Sequence, residues 1–106
     1  MKSSMATGPL GIMVTTREAL DHLLGLVEAA EKRGVQVEVF LSGEGVMLTQ
    51  DPRFAQLAGR ARLALCEVSF RAQGLSGEVP GMGFKDFATQ ARHAAIVEDS
   101  PHYLVL

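Results

Sequence analysis

The sequence has a single cysteine, Cys66, among 106 residues. With one thiol, no intrachain disulfide can close and no structural zinc site built on paired thiolates can assemble. Positive charge is not in excess either: 10 Lys+Arg against 12 Asp+Glu leave a net charge of −2, with no lysine-rich stretch. That balance offers no basic face to neutralise phosphates and argues against nucleic acid as a partner. Apolar runs stop far short of the ~18–20 residues a membrane span requires. The opening Met1-Lys2-Ser3-Ser4-Met5-Ala6-Thr7-Gly8 lacks the apolar stretch of a signal peptide, so no membrane is called for and the cytoplasm is the expected compartment. Internal repeats and low-complexity tracts are also missing. His22, His93 and His102 fall at no metal-ligand spacing, and neither metal nor organic cofactor is expected.

What is present is the composition of a folded globular domain: 47% hydrophobic and 21% charged residues, with 11 glycines and 4 prolines. A chain this short buries one core and leaves no room for separate cofactor and substrate domains. Residues 1–8, small and polar, are expected to be a disordered leader, and 9–106 a single domain. Leu10-Gly11-Ile12-Met13-Val14 is a short apolar run suited to a strand buried on both faces. Thr15-Thr16-Arg17-Glu18 has the spacing of a capping box, and Leu20, Leu23, Leu24, Val27 and Ala30 behind it predict a helix over about 16–32, ended by Gly34.

Val35 to Leu41 alternates and then turns wholly apolar, which predicts a second strand and completes a strand–helix–strand unit favouring parallel pairing. Residues 46–58 read as irregular or weak helix broken at Asp51-Pro52, and 61–66 as a third strand followed by a short helix ending at Gly74. Leu75 to Gly83, rich in glycine, predicts a loop with one short strand inside it. Phe84, Phe87, Ala88, Ala91 and Ala95 share a helical face, and Tyr103 to Leu106 make a last strand. Phe84, Phe87, Met82 and Met13 read as core or subunit-interface residues.

In open parallel sheets ligands bind outside the carboxyl ends of the strands. Three features map to that edge: the Thr15-Thr16 segment, the Ser42-Gly43-Glu44-Gly45 loop, and Cys66 at the change from strand to helix. A thiol there meets N–H groups of a helix start, which favour thiolate, while Glu67 opposes the shift by like-charge repulsion. Burial as a small apolar group is the competing reading of Cys66. The Ser42–Gly45 loop can bring N–H groups close to an anion, but it lacks the G-x-G-x-x-G spacing and the phosphate-loop lysine, so an ordinary strand–helix turn competes there too.

These residues resemble the DsrE/DsrF-like family of small sulfur-relay subunits. The likeness runs from Ile12-Met13-Val14-Thr15-Thr16 through Val37-Glu38-Val39-Phe40-Leu41-Ser42-Gly43-Glu44-Gly45-Val46. It is clearest in Leu63-Ala64-Leu65-Cys66-Glu67-Val68-Ser69-Phe70-Arg71-Ala72-Gln73-Gly74-Leu75, and it covers about residues 10–106. The resemblance implies an α/β fold, a three-layer α/β/α sandwich on a mostly parallel sheet of about five strands. It also implies assembly into trimers or hexamers, from one chain or with paralogues, and a persulfide-carrying cysteine that maps to Cys66. Sulfur donor and acceptor proteins would be the partners. Ser42, Gly43 and Gly45 would shape the pocket, with N–H groups of Val68 and Ser69 stabilising the anion. Two other readings remain open: a non-catalytic oligomeric binding or structural subunit in which Cys66 only packs, and a thiol-peroxidase-like or redox-sensing protein dependent on an outside thiol.

Overall fold

The computed structural model describes residues 9–88 and 102–106. Five strands form one all-parallel sheet: β1 (Leu10–Val14), β2 (Val37–Leu41), β3 (Arg62–Cys66), β4 (Phe87–Ala88) and β5 (His102–Val105), in the order β4-β3-β2-β1-β5. The fold is therefore α/β with a five-stranded parallel sheet, as expected. Among the described residues two α-helices, α1 (Leu20–Lys32) and α2 (Glu67–Ala72), accompany it, with 3-10 helices at Gly43–Gln50, Pro52–Leu57 and Phe84–Asp86. No helix among the described residues is long and apolar enough to cross a membrane.

Side-chain alternation divides the sheet cleanly. Ile12, Val14, Val37, Val39, Leu41, Leu63 and Leu65 point to one face and form the main core with Leu20, Leu23, Val27 and Ala30 of α1. Each large aliphatic side chain sealed there contributes about 1.5–3 kcal/mol. Phe40, Ala64 and Cys66 form a smaller cluster on the opposite face, with Ala88 against it. The helix read through Ala91 and Ala95 lies outside the described residues, as do the 1–8 leader and His93.

Three expectations are corrected. The first helix begins at Leu20, not near residue 16, and Ala19 at its N-cap position supplies no side-chain hydrogen bond. The capping box is not formed because a distant partner captures the threonine. Both the N–H and the hydroxyl of Thr15 donate to the carbonyl of Leu106, at 2.7 and 3.1 Å, tying β1 to β5. Second, Phe87 and Ala88 are not helical: they pair as β4 with Leu65 and Cys66. The spacing of Phe84, Phe87 and Ala88 fits a helix on period alone, but the open edge of β3 supplies backbone partners, and the Phe87 ring packs edge-on against Phe70 at 5.2 Å. Third, Leu75–Gly83 contains no strand.

Helix ends follow local chemistry more closely. After α1 the N–H of Gly34 donates to Glu31 and that of Val35 to Ala30. After α2, Gly74 and Leu75 repeat the pattern onto Arg71 and Phe70. Both glycines hold positive φ, +70° and +78°, as this termination demands. The break at Asp51-Pro52 separates two 3-10 helices, and the Asp51 carboxylate caps the second by accepting from the Arg53 N–H at 2.9 Å. The Arg53 guanidinium also pairs with Asp51 and Asp21, and Arg60 pairs with Glu31, fastening this segment to α1. These arginines hold the Asp51 and Glu31 carboxyls below the usual carboxylate range.

Two glycines offer a test of this packing. A Cβ on Gly45 would lie 2.0 Å from the Val14 carbonyl oxygen, whereas Gly25, on the exposed side of α1, has open space around it. Gly45→Ala is expected to destabilise by about 2–3 kcal/mol. Gly25→Ala is expected to stabilise by about 0.5–1 kcal/mol through helix propensity. Urea midpoints of the two variants against wild type give the comparison.

Candidate functional site

Parallel pairing brings the carboxyl ends of β1, β2 and β3 to one edge, so the segment after β1, the Ser42–Gly45 loop and Cys66 are neighbours there. Side-chain contacts stitch the three together. Arg17 Nε donates to Glu44 Oε1 at 3.2 Å, joining the first two loops. The Gly43 N–H donates to Ser69 Oγ at 2.9 Å, joining the second loop to α2.

Cys66 ends β3 and stands at the N-cap of α2, with backbone angles of −79° and 114° and no side-chain capping bond. Its extended backbone ends the strand while its carbonyl opens the helix. The first N–H groups of α2, among them those of Val68 and Ser69, have no acceptor within the helix, by helix geometry. The cysteine is 6% exposed and forms no disulfide. Its neighbours in the small cluster are Phe40, Ala64 and Ala88. Two residues on, the Val68 side chain is 76% exposed.

The Ser42–Gly45 loop does not present a cradle of spare donors. The Ser42 N–H donates to Val14, the Gly43 N–H to Ser69 Oγ and the Gly45 N–H to Ser42. Gly45 is buried where β1 passes closest, while Ser42 is half-buried and Gly43 exposed. Gly43 adopts φ +55°, which lets the chain turn directly into the 3-10 helix. Among the described residues no group of His, Cys, Asp or Glu is placed to hold a metal ion; His22 and His102 are exposed.

A feature that sequence reasoning missed lies across α2 from that loop. A cleft of about 520 Å³ opens between α2, the 75–83 loop and β4, lined by Phe70, Leu75, Met82 and Phe87 below and by Glu67, Arg71, Ser76 and Glu78 toward solvent. The glycines of residues 74–83 were its only signal in the sequence, since a glycine-rich segment that stays ordered must be held by a few anchors.

No family model matches the chain, and no curated protein matches it. Among solved structures, the crystal structure of the YchN protein from E. coli superposes with a TM-score of 0.71, covering 94% of this chain and 100% of that one at 14% identity. That likeness establishes the fold.

The stitching bond is open to measurement. Ser69→Ala removes the acceptor of the Gly43 N–H and is expected to cost about 0.5–1 kcal/mol. In native-state hydrogen exchange the Gly43 amide should lose protection, while amides of the β1–β2 ladder keep theirs.

Proposed function

We propose that this protein is a sulfur carrier that holds sulfane sulfur as a persulfide on Cys66 and passes it from a donor thiol to an acceptor thiol. The observation that carries the reading is the position of Cys66: the last residue of β3 and the N-cap of α2, at the edge where the loops after β1 and β2 converge. The local sequence from Leu63 to Leu75 resembles the sulfur-relay family over this same strand, cysteine and short helix. The fold shared with YchN is compatible with that likeness.

The chemistry needs no cofactor. The Cys66 thiolate attacks the outer sulfur of a donor persulfide, the donor S–S bond breaks, and the donor leaves as a thiolate with the bonding pair. The product is Cys66–S–SH. An acceptor thiolate then attacks the outer sulfur and Cys66 departs as thiolate, so the two steps are isoelectronic exchanges with no net oxidation. Because the N–H groups of Ser42, Gly43 and Gly45 donate inside the protein, anion stabilisation falls to the first turn of α2, with Val68 and Ser69 contributing main-chain donors. Ser42 and Gly43 bound the approach from the β2 side. The exposed Val68 offers an apolar contact for a donor or acceptor protein. A chain this small completes its pocket by assembly, with copies of itself or with paralogues, in a reducing compartment such as the cytoplasm.

One observation favours a second reading. At 6% exposure beside Phe40 and Ala64, Cys66 suits a packing role in a non-catalytic oligomeric subunit.

Two measurements separate these readings. Incubated with a low-molecular-weight persulfide and weighed intact, the reduced wild-type protein is expected to gain about 32 Da, one sulfur atom, and Cys66→Ser to gain nothing. No gain in wild type, or an equal gain in Cys66→Ser, defeats the proposal. Iodoacetamide should modify native Cys66 well below pH ~8.5 if it is a carrier thiolate, and only on unfolding if it is a packing residue.

A further inference from the structure

The cleft between α2 and the 75–83 loop takes no part in the sulfur chemistry. Phe87 is in register with Leu65 on the main-core side of the sheet, whereas Cys66 and Ala88 belong to the cluster on the opposite face. Its outer wall is a built structure. Val79 is buried in the main core, and the Met82 N–H donates to the Val79 carbonyl at 3.1 Å. Gly81, at φ +83°, sits so close to Ala58 and Leu63 that a Cβ would meet them at 3.0–3.2 Å. The Gly83 N–H is held by Asp86 at 2.8 Å. A loop pinned at Val79, Gly81 and Gly83 keeps the cleft open rather than collapsing onto Phe70.

The lining has two distinct parts. Phe70, Leu75, Met82 and Phe87 make an apolar floor, and about 520 Å³ is within the usual size of a small-molecule site. The Phe70 and Phe87 rings meet edge to face and so form a rigid corner, while the Met82 thioether adapts to shape. Charge on the rim is uneven. Arg71 is paired with Glu67 at 3.0 Å, which leaves Glu78 as the carboxylate without an ion-pair partner among the described residues. Among the described residues the lining thus carries two carboxylates against one guanidinium that is already engaged.

We propose that this cleft is a binding site for a small organic cation with an apolar body, an aromatic or branched aliphatic amine, whose ammonium group is met by Glu78 and whose hydrocarbon part lies on Phe70, Leu75, Met82 and Phe87. The apolar floor gives affinity, and Glu78 sets the preference for positive charge. An anion of the same shape meets the unpaired carboxylate and is disfavoured.

The test titrates the wild-type chain with 2-phenylethylamine, 2-phenylethanol and 3-phenylpropionate, three ligands of similar body and different charge, followed by amide chemical shifts. The amine is expected to bind about 2- to 5-fold more tightly than the alcohol, the range of an exposed ion pair, and the anion more weakly than either. The shifts should centre on Glu67, Ser76, Glu78 and Met82. Glu78→Gln alters an exposed side chain, leaves the fold intact, and should abolish the preference for amine over alcohol. The proposal is overturned if the amine does not bind, if the anion binds as well, if the shifts centre elsewhere, or if Glu78→Gln keeps the preference. The readout is binding alone, so it is independent of whether Cys66 carries sulfur.

Discussion

In a sheet whose strands all run the same way, every crossover must carry the chain back outside the sheet, and every strand delivers its carboxyl end to one common edge. That constraint organises this molecule. It fixes the burial of both sheet faces, explains the continuous apolar strands, and places the loops that follow β1 and β2 beside the start of α2 that follows β3. The close pass of Gly45 over the Val14 carbonyl and the donation from Gly43 to Ser69 are local answers to the resulting crowding.

Much of the architecture was legible because it depends on local signals. Alternation in Val35–Leu41, the apolar Leu10–Val14 run and the glycines at 34 and 74 each report short-range physics, and β1, β2 and the ends of both α-helices fall where those signals put them. The failures share the opposite cause. Thr15 has the side chain of a helix cap, yet its hydrogen bonds go to Leu106, just past β5 and 91 residues away. Phe87 has helical spacing from Phe84, yet β3 needed a neighbour, and sheet pairing overrode periodicity. Nothing within a few residues of either position reveals a partner so distant in sequence.

The site divides in the same way. Placing Cys66 at a strand end and helix start required only the change of period after it, and this was readable. The side of the sheet to which the sulfur belongs came from the structure, where Cys66 clusters with Phe40 and Ala64 opposite the main core. Where the N–H groups of Ser42–Gly45 point was not readable, because glycine-rich loops advertise freedom and conceal what they bind. Those donors serve β1, α2 and the loop itself. The cleft beside α2 was hidden for a related reason: its floor is drawn from α2, the following loop and β4, and only the tertiary fold puts these together.

The clasp between Thr15 and Leu106 bears on the order of events during synthesis. β1 is the second strand from one edge of the described sheet, and its outer neighbour, β5, is synthesised after the other four described strands. Until then the backbone of β1 can ladder only with β2, and its other side is a bare template of the kind that recruits foreign strands. Closing so long a loop is slow, and its cost is met only when β5 docks. The nascent domain therefore passes through a stage in which its central strands are formed but one flank is open, and chaperone protection has most to offer there.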